Sequence, residues 1–134
     1  MKTIFAVFVY LFLMSSVGCA STDSIRKDPL TDGISATFPA SIEKVSRASR
    51  IAVLESGMKV VDQTKLDNGS VMLIGEAAMS MFSSGEVVRL VISSNGMNQS
   101  QVLVITHRKV ATQVMAQDNY STQIFKNITA NLDR

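Results

Sequence analysis

The 134-residue chain has one cysteine, one histidine, two prolines and no tryptophan. A single cysteine excludes a disulfide framework within the chain. A single histidine leaves too few ligands of the right kind for a zinc site, which draws three or four from His, Cys and acids. Aromatic residues make up only 6% of the sequence. Beyond residue 20 the rings are Phe38, Phe82, Tyr120 and Phe125, so a core there must be chiefly aliphatic, helped by Met58, Met72, Met79, Met81, Met97 and Met115. The formal net charge is only +2 and no basic block occurs. That excludes nucleic acid as the main partner, because such affinity is built from clustered Lys and Arg. Long apolar runs are also missing. The longest, Ile4 to Met14, has eleven residues, and a helix needs about 20 to cross a bilayer.

What the first residues do contain is a three-part layout: basic Met1-Lys2, the apolar run, then small and polar Ser15 to Cys19. That is the plan of a secretory signal, expected over residues 1–18 and removed from the mature chain. The region Ser16-Val17-Gly18-Cys19 resembles the lipobox of bacterial lipoproteins, although Ser16 stands where that family usually has leucine. The resemblance implies that Cys19 becomes the first mature residue, carries diacylglycerol on its thiol and is acylated, as by palmitate, on its amine. One chain holds a protein to a membrane marginally, whereas two or more hold it stably. The alternative is an ordinary signal, cut after Gly18 or Ala20, with a bystander cysteine. Ala20, where aspartate is absent, implies in Gram-negative lipoproteins an outer-membrane address facing the periplasm.

About 115 residues then remain, one small domain. Cys19 to Asp32 reads as the lipidated residue followed by a flexible tether. Polar "ASTDSIRKDPLT" has no apolar period, and such a segment would let the domain stand on the order of 20 Å from its lipid. The domain is expected over 33–134. Ile34 to Phe38 is a short strand closed by Pro39. Ser41 caps a helix whose Ile42, Val45, Ala48 and Ala52, with Ile51 and Leu54 beside them, make an apolar stripe; Gly57 is its left-handed stop. Three turn signals follow: Asn68-Gly69 as a two-residue type I′ loop, Ser83 to Gly85 as a three-residue loop, and Asn95-Gly96. They join strands over Met58–Leu66, Val71–Phe82, Glu86–Ser93 and Gln101–Arg108. Asp118 or Asn119 caps a last helix with Tyr120, Ile124, Phe125, Ile128 and Leu132 on one face.

The expected fold is α+β: an antiparallel sheet of four to five strands with two helices packed on one face. The first two turns impose opposite parities on the strand they share. A bulge or sharp bend near Gly75 is therefore expected, since one extra residue shifts alternation by one. The stretch from Ala36 to Glu76, with Phe38-Pro39, the Val45, Ala48 and Ala52 helix, Gly57 and Asp67-Asn68-Gly69, looks like the opening unit of small bacterial lipoproteins. It is also similar in pattern to the helix-grip domains of the outer-membrane assembly lipoprotein C. The likeness implies a fold and carries no chemistry.

Chemical motifs are few. His107 is read as an edge-strand residue, because no serine sits in a nucleophile elbow with which it could work. The carboxylates Asp62, Asp67, Glu76 and Glu86 share no selective spacing, and Glu76, beside the expected bulge, is the candidate for a buried acid. No catalytic residue, metal or cofactor is expected. Two surfaces are candidates. Lys44, Arg47 and Arg50 form a stripe suited to anionic headgroups or an acidic partner. Met79, Met81, Phe82, Val87, Val91, Val102 and Val104 form a candidate partner surface, the four valines being assigned to one sheet face opposite Val88, Leu90, Leu103 and Ile105. That face needs cover from the connection Val110 to Ala116, a second copy or a partner protein. The reading is a lipid-anchored envelope protein that binds or assists assembly, with a membrane and an envelope protein as partners. An envelope hydrolase and a structural lipoprotein without a ligand are the alternatives.

Overall fold

Alternation of apolar residues and four turns of period-3.6 pattern become eleven elements in the computed structural model of the chain, which describes residues 20–27, 29–80, 83–107 and 120–134. In chain order they are α1 (Ala20–Lys27), a 3₁₀ turn (Leu30–Asp32), β1 (Ile34–Phe38), α2 (Ile42–Glu55), β2 (Met58–Lys65) and β3 (Val71–Ala77). There follow the short β4 (Met79–Ser80) and β5 (Ser83–Ser84), then β6 (Val87–Ser94), β7 (Ser100–His107) and α3 (Tyr120–Leu132). Five strands form one antiparallel sheet in the order β1-β7-β6-β3-β2, and β4 pairs with β5. The α+β architecture is the one the pattern predicts.

Helix α2 starts where Ser41 Oγ accepts from the Lys44 amide at 3.5 Å and ends before Ser56, whose hydroxyl donates to the Ala52 carbonyl at 2.8 Å. Val45, Ala48, Ala52 and Val53 are buried against the sheet. Ile51 and Leu54, expected beside that stripe, are instead 37% and 49% exposed. The reason is angular: at 100° per residue they fall on the arc of Arg47, opposite Val45 and Ala52. Helix α3 buries Ile124 and Ile128 in the same core and lays Phe125 against Phe38, ring centroids 6.1 Å apart. Asn127 and Asn131 tie α3 to the end of α2. Asn127 Nδ2 donates to Ser56 Oγ at 3.2 Å, and Asn131 Nδ2 donates to Glu55 Oε2 at 2.8 Å. The caps expected at Asp118 or Asn119 lie outside the described residues.

The strand register corrects three expectations. At the first hairpin Leu66 N donates to Ser70 O at 2.8 Å, so the loop has three residues, Asp67-Asn68-Gly69, rather than two. A type I′ turn needs positive φ at both Asn68 and Gly69. Only Gly69 has it (φ +83), because Asn68 uses its side-chain oxygen to accept from Ser70 N at 3.0 Å. At the second hairpin Met79 pairs with Ser84 and Ser80 with Ser83, so the turn does not fall at Ser83 to Gly85. The same slide pairs Leu73 with Leu90 and Gly75 with Val88, which puts both apolar sets on one face and removes the parity conflict.

The third correction concerns the bulge. Strand β3 pairs without interruption with β6 from Val71 to Glu76, and the irregularity lies on the facing strand, where Val60 pairs with Gly75 and Asp62 with Ile74. Val61 is the extra residue. Gly75 serves a different purpose: a methyl group on it would stand 2.6 Å from Val53 Cγ1 and 3.1 Å from Val88 Cγ2. The missing side chain lets Val53 of α2 press directly on the β3 backbone. Gly75→Ala should therefore destabilise the fold by about 1–3 kcal/mol through overpacking. An unchanged urea midpoint for that variant would show that the helix does not press there.

Candidate functional site

Strand alternation sends Val88, Leu90, Ile92, Val102 and Val104 toward the helices, and all five are buried. The opposite face carries Val87, Val91, Leu103 and Ile105. This corrects the expected grouping, which set Val102 and Val104 beside Val87 and Val91. The Asn95 amide donates to the Gln99 carbonyl at 2.8 Å across a three-residue loop, Gly96-Met97-Asn98, and Ser94 pairs with Ser100, so even positions of β6 face even positions of β7. Val102 and Val104 thus belong to the core and to no partner surface.

The cover for that second face comes from an unexpected quarter. Residues 20–27, read as tether, form α1. Its Ile25 is fully buried against Ile74 and Val87, with Met72 at the margin. Arg89, only 3% exposed on this face, donates from Nη1 to the Arg26 carbonyl at 2.6 Å. The Arg26 guanidinium meets Asp62 Oδ2 at 2.9 Å. Beyond the 3₁₀ turn, Gly33 lies so close to Leu103 and Ile105 that an added methyl would stand 2.6 Å from Leu103 Cδ1. Residues 20–27 and 29–33 thus act as a strap across the sheet. One isoleucine in a polar stretch shows no period, which is why the strap reads as linker. The only local signal is Asp23 in the first turn with Arg26 and Lys27 in the last, charges that suit a helix dipole.

The remaining candidates are scattered. Cys19, Met81, Phe82 and the connection Val110 to Ala116 lie outside the described residues, and Met79 sits in β4. Val87 is buried and Val91 half-buried. On α2, Lys44 and Arg47 are exposed, while Arg50 donates from Nη1 to Gln63 Oε1 at 3.3 Å. The buried acid is Glu86, at 3% exposure, rather than Glu76, which is half-buried. His107 ends β7 opposite Val87. Among the described residues, no three His, Cys, Asp or Glu are grouped to hold a metal ion.

One concavity was not foreseen. A cleft of about 500 Å³ lies between the edge strand β1 and α3. Residues Ala36 to Ala40 form one wall, Phe125 and Leu132 contribute to the other, and the exposed Lys44 and Lys126 line it with Asp133 as the one carboxylate. It draws on three separated segments, so no local motif announces it; the sole hint is that Lys44 belongs to the basic stripe.

No family model and no curated protein matches the chain. Among solved structures the chain is similar to the crystal structure of Ara h 8.0201, at 14% identity over 75% of this chain and 95% of that one, with a TM-score of 0.39. No property of that protein carries over at such a score.

The strap gives a direct test. Ile25→Ala should lower stability by about 2 kcal/mol, the low end for a buried isoleucine because the strap can lift off instead of preserving a cavity. It should also open residues 20–33 to proteolysis. A flexible tether would leave the urea midpoint and the cleavage pattern unchanged.

Proposed function

We propose that the chain is a lipid-anchored envelope protein facing the periplasm, on the outer membrane in a Gram-negative host, that works by binding or assisting assembly rather than by catalysis. The observation that carries this reading is one of adjacency. Cys19, the residue that the lipobox resemblance marks for acylation, immediately precedes Ala20, the first residue of the docked helix α1. The proposed anchor therefore joins the folded domain directly. A lipid there would hold the domain at the bilayer surface by a few bonds rather than by a dozen loose residues. No described helix is long and apolar enough to cross a membrane, so attachment would rest on the acyl chains, with two or more giving stable residence. The binding role is supported by the cleft beside β1, whose apolar walls, two lysines and one aspartate are chemistry for holding a ligand.

Cys19→Ser tests the anchor. The parent chain should partition into detergent and gain the mass of its acyl chains, and the variant should do neither. Recovery of the parent from the aqueous phase with a free thiol would end the reading.

A further inference from the structure

The two edges of the sheet are built differently. Strand β2, at one edge, carries Lys59, Asp62 and Lys65 and the bulge at Val61, all devices that discourage a further strand. Strand β1, at the other, reads Ile34-Ser35-Ala36-Thr37-Phe38: it has no charge and pairs in unbroken register with β7. No described strand pairs with its outer side. The Phe38 carbonyl already accepts from the Ala40 amide at 2.9 Å, and an incoming chain would pair with the outer backbone groups of the residues before Phe38. Ile34 stands 54% exposed at its start.

The cleft runs along this undefended edge, between β1 and α3. A strand added there would point alternate side chains toward the helix side of the sheet, the side of Ala36 and Phe38. Those side chains meet Phe125 and Leu132 on the cleft wall and the ammoniums of Lys44 and Lys126. An acyl chain could use the walls but would leave the β1 backbone unsatisfied, whereas an extended peptide uses both.

We propose that β1 takes up an extended segment of a partner protein as a sixth strand, with an apolar residue in the cleft and, two positions along on the same side, a carboxylate paired with Lys44 and Lys126. This deepens the reading of the chain as a binding module and rests on it, by naming the surface and the chemistry of the partner.

The probe is an end-blocked, fluorescein-labelled heptapeptide, Thr-Val-Thr-Glu-Thr-Val-Thr, titrated by anisotropy into the full chain in detergent. Saturable binding is expected. The double variant Lys44→Glu with Lys126→Glu changes only exposed residues, so its circular dichroism should match the parent. It should bind the probe at least about tenfold more weakly and bind better a peptide with lysine in place of glutamate. N-methylating one alternate set of peptide residues should abolish binding and methylating the other should not, because only one set of amides faces β1.

Equal binding by both methylated series would overturn strand addition, as would no binding at millimolar peptide. A dimer that protects the β1 amides without peptide would make a second copy the occupant and sink the proposal. So would laurate shifting the NMR signals of Phe125 and Leu132 when the peptide shifts none. Detergent partition of the same samples reports on the anchor separately, so failure of one reading is not mistaken for failure of the other.

Discussion

A β-sheet that is apolar on both faces has to be covered on both, and that requirement organises this chain. Antiparallel sheets commonly leave one face to water and alternate accordingly. Here β6 and β7 place Val88, Leu90, Val102 and Val104 on one side and Val87, Leu103 and Ile105 on the other. Helices α2 and α3 close the first side. The second is closed by residues 20–27 and 29–33, with Ile25 as the plug. An eight-residue helix is marginal in water on its own, so α1 owes its form to the surface it covers. Arg89 fits the same logic: a guanidinium beneath the strap must find an acceptor, and the Arg26 carbonyl supplies one.

How much of this can be read in the sequence follows from what kind of information each feature needs. Helix α2 is legible end to end, from Ser41 to Glu55, because capping and a 3.6-residue period are local. Most strand bounds are legible to within a residue or so for the same reason, but the strand expected over Val71–Phe82 ends at Ala77 and gives way to the separate β4. Turn residue types are legible too, but loop length is not contained in a dipeptide. Asn68-Gly69 serves a three-residue loop as well as a two-residue one, and each changed length flips which side chains share a face. The bulge shows this well. The conflict of parity that pointed to a bulge at Gly75 came from a misplaced second turn; with the observed pairing it vanishes, β3 runs regularly along β6, and the irregularity at Val61 of β2 has a separate origin. The strap and the cleft were illegible because one rests on a single isoleucine and the other on three distant segments.

The order of strands has its own consequence. Setting β1 beside β7 brings the first strand of the sheet next to the last and leaves β1 and β2 as edges. Strand β2 follows directly from α2 and faces solvent with charges along most of its length. Strand β1 is held between the strap before it and Pro39 after it, which limits it to five residues. A short strand is one way to keep an edge quiet, and that leaves β1 free to remain uncharged. The two edges thus reflect two solutions to the same hazard, and only one of them excludes an incoming backbone.

The strap also bears on orientation. Under the proposed anchoring, the lipid is attached one residue before α1, and α1 lies on the face of the sheet opposite α2 and α3. A helix with its side chains is about 10–12 Å across, so the bilayer and the exposed face of α2 are separated by two helix layers and a sheet. A loose tether would let the domain roll until Lys44 and Arg47 met headgroups; a docked one opposes that roll, because rolling would tear Ile25 from Ile74 and Val87. Under that anchoring the basic stripe and the exposed Ile51 and Leu54 among it would lie on the helix layer farther from the strap. Lys44 belongs to both the stripe and the cleft, so the two basic features of the helix layer are continuous with one another.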